Sequence, residues 1–298
     1  MAIVDYGVYI RDVVEPGINN TVFNRVVEDL SKIFTQGKPV AGSKITETIR
    51  TSYSSNVLNF TKASSADPAS GTQVLKDATW NKVYTKGRVS VSKIDISESG
   101  DGGLSLIKDA VETESRALSN KLFVNVMTQI KADVDSTGNY SDAALSRSTY
   151  PTLASYENAV NTPITIALMR GMIDGVTLLK NTGGLQNYVC LMEQAVYNKL
   201  KPLAAALNTW NVSDATKPSM LGFGQMGNFE GLEIVTPLGL TTGDVLMLRK
   251  QDVIFTPHRP YEVEQKQSSD DNVNFVITTG LNVHVKNPGL QGKMTDKD

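Results

Sequence analysis

The run Gly222-Phe223-Gly224-Gln225-Met226-Gly227 has the glycine spacing of a dinucleotide-binding loop. Such a loop works only when a strand precedes it and a helix follows, so that the helix N-terminus faces a pyrophosphate. Here Lys217-Pro218-Ser219 comes before and a strand pattern, Gly231 to Val235, comes after. The run therefore reads as a glycine-rich turn. Asp133-Val134-Asp135-Ser136-Thr137-Gly138 opens like a calcium loop, which needs oxygen ligands at alternate positions and a bidentate glutamate at the twelfth. Thr137 holds the fifth position and Ala144 the twelfth, so an Asp-rich turn is expected instead. The two histidines, His258 and His284, have no second His, Cys or carboxylate at ligand spacing. Glu112 and Glu114 diverge if helical, which rules them out as an acid/base pair. Cys190, the one cysteine, sits in the apolar run Tyr188 to Met192 and reads as a buried small hydrophobe. The sequence contains no phosphate-binding loop, Gly-x-Ser-x-Gly elbow or Cys-x-x-Cys pair. No catalytic, cofactor-binding or metal-binding residue is assigned, and the chain does not read as an enzyme.

Composition narrows the class further. The 298 residues are 40% hydrophobic and 20% charged, an ordinary globular balance. With 29 basic and 31 acidic residues, the chain lacks the basic excess of a tight nucleic-acid binder. Contact with nucleic acid would be weak and blind to sequence. The start, Met1-Ala2-Ile3-Val4-Asp5, does not resemble a signal peptide, and no apolar run is long enough to span a membrane. Synthesis and folding in a reducing cytoplasm are expected.

The elements fall into regions of different texture. In residues 1–38, Val22, Val26, Val27, Leu30, Ile33 and Phe34 recur at three- and four-residue steps. They predict an amphipathic helix capped at Asn19-Asn20-Thr21 and ended by Gly37 and Pro39, with a stripe that needs another surface to cover it. Residues 39–90 are rich in Ser, Thr and Ala. They read as a long hairpin arm, with a flexible centre at Lys62 to Gly71 and a return strand from about Trp80 to Val91. The arm carries seven basic and three acidic residues, whereas 91–150 carry six basic and nine acidic. Opposed charge of this kind suits an arm laid over the body of a neighbouring subunit; two solvated faces would give it equally.

The strongest helix signal covers 103–132, with Ile107, Val111, Leu118, Leu122, Val126 and Ile130 on one face, widened by Ala110 and Ala117. About thirty helical residues reach ~45 Å, the length of a spine. Helix is expected from Ile166 to Lys180 and from Glu193 to Leu207, with a buried strand at Tyr188 to Met192. The C-terminal part turns to strands: Leu232–Val235, Val245–Leu248, Val253–Phe255, Tyr261–Gln265, and a closing pair through Val273–Ile277 and Leu281–Val285. Pro237, Gly239, Gly243, Pro257 and Pro260 are read as turn signals.

This order of elements resembles the Hong Kong 97-type major capsid protein of tailed bacteriophages. Trp80 to Ile96 (WNKVYTKGRVSVSKIDI) is similar to that family's return strand leading into the spine helix. Gly222 to Pro237 (GFGQMGNFEGLEIVTP), Gly243-Asp244-Val245-Leu246 and Val285-Lys286-Asn287-Pro288 are similar to its closing β region. The resemblance covers nearly the whole chain and rests on the order of these pieces. It implies an α+β fold with an N-terminal arm (1–38), an extended hairpin loop (39–90), a discontinuous peripheral domain (91–150 and 251–298) and an α/β axial domain (151–250).

The function it implies is that of a structural protein, a major capsid protein of the virion. Such a chain self-assembles as a homo-oligomer in the host cytoplasm, its hexamers and pentamers forming an icosahedral shell around double-stranded DNA. Scaffold, portal and decoration proteins are the implied partners; no cofactor and no membrane are. Because the arm at 1–38 is short, a separate scaffold is expected rather than a long scaffolding segment. The alternative is an encapsulin-type nanocompartment, which has the same fold around protein cargo; a nucleotide-binding enzyme built on the glycine run is the reading from a different class. Some relatives join an arm lysine to a neighbour's asparagine. Lys62, Lys76, Lys82 and Lys86 lie on the arm and Asn282 and Asn287 in the closing segment, but no spacing here supplies the buried carboxylate such a reaction needs. No cross-link is expected.

Overall fold

The computed structural model describes residues 6–39, 41–54, 72–134, 163–178, 184–206, 210–211, 223–240, 243–266, 271–286 and 291–296. Among them the strands, in chain order, are β1 Thr35–Gln36, β2 Lys44–Ser54, β3 Thr72–Asn81, β4 Tyr84–Ser92, β5 Tyr188–Met192, β6 Trp210–Asn211, β7 Phe223–Phe229, β8 Leu232–Pro237, β9 Asp244–Arg249, β10 Val253–Lys266, β11 Asn272–Val285 and β12 Gly292–Thr295. They form a four-stranded sheet (β1-β10-β11-β4), a six-stranded sheet (β12-β9-β5-β8-β7-β6) and the two-stranded ribbon β2-β3.

A helix from Leu104 to Val134 joins the two larger sheets. Its buried face carries Ile107, Val111, Leu118, Leu122, Val126 and Ile130, as the spacing predicts. Ala117, expected to widen that face, is exposed, because the stripe turns instead through Ser115, Ser119, Phe123 and Met127. The N-terminal half of this spine packs with the four-stranded sheet through Ile107, Val111, Leu118, Tyr261, Phe275 and Ile277. Its C-terminal half packs on the six-stranded sheet through Phe123, Val126 and Met127, against Val189, Leu191, Val235 and Leu246. Strand alternation then sends Tyr188, Cys190, Met192, Ile234 and Met247 to the opposite face, under the helices Ile166–Leu178 and Gln194–Ala206. The six-stranded sheet is thus covered on both sides, which explains why β5 is buried at every residue.

The N-terminal helix begins at Gly7, ahead of the cap expected at Asn19-Asn20-Thr21. It runs to Ser31 as α-helical pieces (Gly7–Tyr9, Glu15–Ile18, Asn24–Ser31) separated by π-helical turns (Ile10–Val14, Asn19–Phe23). The cause lies in the spacing. Tyr6, Ile10, Val14, Ile18, Val22, Val26 and Leu30 stand four apart, and all are buried. In a regular helix each such step overshoots one turn by about 40°, so six steps would wind the stripe about 240° around the axis. The wider π turns take up that excess and keep the stripe on one side. Asn19 does not cap. Its side chain instead grips the Tyr261 backbone, donating to the carbonyl at 3.0 Å and accepting from the N–H at 2.8 Å. The stripe is covered by the chain's own spine and four-stranded sheet, so the expected need for another surface is met within the subunit.

Three readings of the β region need correction. Residues Gly224 to Gly227 lie within β7, which pairs with β8 across a break in register between Phe223 and Met226, so the glycine run is strand and not turn; Gly222 lies outside the described residues. Pro257 and Pro260 do not end a strand. β10 runs through both, with register shifts on either side of Arg259, where bulges excuse the missing N–H groups. Val273–Ile277 and Leu281–Val285 do not pair with each other, being parts of the single strand β11. Gly280 permits this, since a Cβ there would collide with the His258 ring. Likewise the return strand of the arm is two strands. β3 pairs with β2, while β4 leaves the ribbon and joins β11.

Candidate functional site

Among the described residues the β2-β3 ribbon is a sheet of its own, joined to neither larger sheet, so its attachment decides what it can do. Its two strands pair antiparallel from Lys44↔Asn81 outward to Ser54↔Thr72, with one irregularity between Arg50 and Ser52. At the root, the opposed residues Ile45 and Trp80 are buried while Lys44, Thr46 and Asn81 are exposed. The Trp80 indole donates to Asp133 Oδ2 at 3.2 Å, and the same oxygen accepts from the Val285 N–H at 2.9 Å. Asp133 Oδ1 accepts from Gln129 at 3.0 Å. One carboxylate at the end of the spine therefore ties the ribbon to β11.

His284 completes the root. Its ring lies against Trp80 with centroids 4.5 Å apart, and Nε2 is 3.0 Å from Glu47 Oε1. Nδ1 has no hydrogen-bond partner among the described residues. Burial outweighs the nearby Asp133 charge and pulls the imidazole down to about 4, so it is neutral at pH 7. Glu47 also pairs with Lys286, whose amine burial holds below its usual range. Glu47, Trp80, Asp133 and His284 come from four separate elements, so no local spacing could announce them. The only sequence signal was a histidine in the apolar stretch Leu281 to Val285, since a buried polar group needs partners.

The remaining candidates are dispersed. Cys190 is fully buried and its thiol is pushed up to about 12, which removes it as a nucleophile. Asp133 is occupied at the root, and 135–144 lie outside the described residues, as do Lys62 and Asn287. His258 is half-buried beside Tyr84, 4.9 Å between centroids, and far from acting with His284 along β10 and β11. Glu112 lies 3.9 Å from Lys108, while Glu114 faces Gly87 of β4. Lys86 is exposed, but Asn282 is buried and accepts from the Val83 N–H at 3.2 Å. A neighbour's lysine could not reach it without opening the subunit.

Exposed apolar side chains supply the other candidate contacts. Val83 and Tyr84 flank the ribbon root, and Ile94 and Leu106 stand near the start of the spine. Val8 and Val13 face outward from the N-terminal helix. That helix begins at the same end of the subunit, because Tyr6 and Tyr9 donate to the Gly102 and Leu104 carbonyls. A ribbon whose described contacts with the body lie at its root, together with outward apolar residues, suits contact with other chains rather than chemistry.

No protein-family model and no curated protein matches the chain. Solved structures do. The capsid asymmetric unit of Cyanophage A-1(L) superposes with a TM-score of 0.59 at 16% identity, over 92% of each chain. The chain has the Hong Kong 97-type fold. The same fold relates it to the capsid of a native GTA particle, with a TM-score of 0.55 at 11% identity over 91% of this chain and 90% of that one. A virus-like particle from Pyrococcus furiosus matches with a TM-score of 0.50 at 12% identity, over 91% and 96%.

Proposed function

We propose that this chain is a major capsid protein, a structural protein and not an enzyme, whose hexamers and pentamers close an icosahedral shell around double-stranded DNA. The observation that carries the reading is end-to-end likeness to phage capsid subunits in a chain whose β2-β3 ribbon joins neither larger sheet among the described residues. A ribbon of two strands is marginal alone and gains stability by lying on another surface. Closed symmetric assembly offers that surface to every copy. The division proposed for the subunit is an arm at 1–38, an extended loop at 39–90, a peripheral domain at 91–150 and 251–298, and an axial domain at 151–250. Assembly in a host cytoplasm with scaffold, portal and decoration partners belongs to the same proposal.

A near-neutral chain suits a DNA container, because a strongly basic lining would hold the packaged strand at many phosphates. The Pyrococcus particle favours a second reading, a shell around other cargo. Nuclease treatment of purified particles followed by extraction separates the two. Double-stranded DNA protected within the particle is expected, whereas particles that hold protein and no DNA would replace the first reading with the second.

A further inference from the structure

Strand β4 forms one edge of the four-stranded sheet, and the surfaces at its two ends carry opposite charge. Lys82, Lys86 and Arg88 crowd the end next to the ribbon, and residues 82–92 hold no acid. Lys86 and Arg88 are exposed and make no ion pair among the described residues. The acids that share their face of the sheet are already engaged, Glu262 with Arg259 and Glu264 with Lys266. Beside these cations Val83 and Tyr84 stand out, the tyrosine 48% exposed. The far end of β4 runs into a short helix, Lys93–Glu98, ahead of the spine. There the sign reverses. Asp95, Glu98 and Asp101 are exposed against the single cation Lys93, and Asp95 and Glu98 make no ion pair among the described residues. Ile94 is 65% exposed, and Leu106 also faces outward. Each end thus sets apolar side chains beside charge of one sign. Eight steps of strand, about 26 Å, separate Tyr84 from Ser92, so the two ends cannot meet within one subunit.

We propose that β4 carries a head-to-tail contact between copies of this chain: the acidic tip of one subunit (Ile94, Asp95, Glu98, Leu106) seats on the basic root surface of the next (Val83, Tyr84, Lys86, Arg88). The inference rests on the shell reading and names a contact through which its subunits join. Opposed charge orients the encounter, and the apolar side chains supply area that leaves water on contact. A root-to-root or tip-to-tip approach sets like charges against each other, so the contact has one direction. A heterologous contact of this kind closes into a ring when its rotation allows and otherwise runs on as a filament.

Sedimentation velocity of two charge-reversed chains tests it, one with Lys86→Glu and Arg88→Glu, the other with Asp95→Lys and Glu98→Lys. All four side chains are exposed, so both chains are expected to keep the melting temperature of the natural one. Each alone is expected to stay monomeric, because its root and tip now carry the same sign. Mixed one to one they are expected to associate, since every root again finds an opposite tip. Particles from either chain alone, or monomers in the mixture, overturn the contact. Should a reversal unfold its chain, Lys86→Gln with Arg88→Gln keeps the test: association is expected to need roughly ten-fold more protein, and unchanged association overturns the contact. The shell reading fails separately. Open filaments from the natural chain, with both reversed chains behaving as expected, would leave the contact standing and remove the shell. A natural chain that never associates overturns both.

Discussion

Deleting residues 54–78 is expected to leave a folded subunit that forms no shell. The three buried clusters of the body are built, among the described residues, without any member from this span. The root pair Ile45 and Trp80 also stays outside it, and Trp80 keeps its hydrogen bond to Asp133 of the spine. The lost span carries two basic and two acidic residues, so the deletion removes the reach of the arm over a neighbour and leaves its positive excess in place. Subunit stability should therefore change little while assembly is abolished. Sedimentation velocity checks both at once: a compact monomer peak with no fast-moving particles is expected. Shells of ordinary size from the deleted chain would show that the arm takes no part in assembly.

The second large effect is on stability. Leu118 is 5% exposed on the spine and sits in the cluster with Val111, Tyr261, Phe275 and Ile277. Truncating a buried leucine to alanine loses its transfer free energy and leaves a partly unfilled cavity, a cost of ~2–5 kcal/mol. Leu118→Ala should lower the melting temperature of the subunit by about 2–4 °C for each kcal/mol lost. Lys121 is exposed three residues on, and Lys121→Ala should leave that temperature within about a degree, as surface substitutions away from caps and networks do. Equal losses from the two would mean that the spine presents a different face to the four-stranded sheet.

The spine was legible because its apolar residues follow a period close to that of a regular helix, and β5 because an apolar run of five is too short for anything but a buried strand. The N-terminal helix was legible only from Asn19 onward; the turns from Gly7 to Ile18 were missed, because a four-residue period fits no regular helix and Pro16-Gly17 interrupts the pattern. Prolines also misled in β10, where bulges absorb them, and the division of β11 into two strands missed its continuity through Gly280, which lies against the His258 ring. The root cluster was the least legible part. Glu47, Trp80, Asp133 and His284 meet only because a ribbon, a helix end and a strand converge, a tertiary event that no local pattern encodes. The order of the elements survived these errors, and order was what carried the fold.

The central claim is that this subunit closes a shell, and electron microscopy of the purified full-length chain addresses it most directly. Closed particles of uniform diameter, with pentamers at the vertices and hexamers between them, are the predicted result. A chain that stays monomeric at every concentration and ionic strength, or that polymerises only into open fibres, would contradict it.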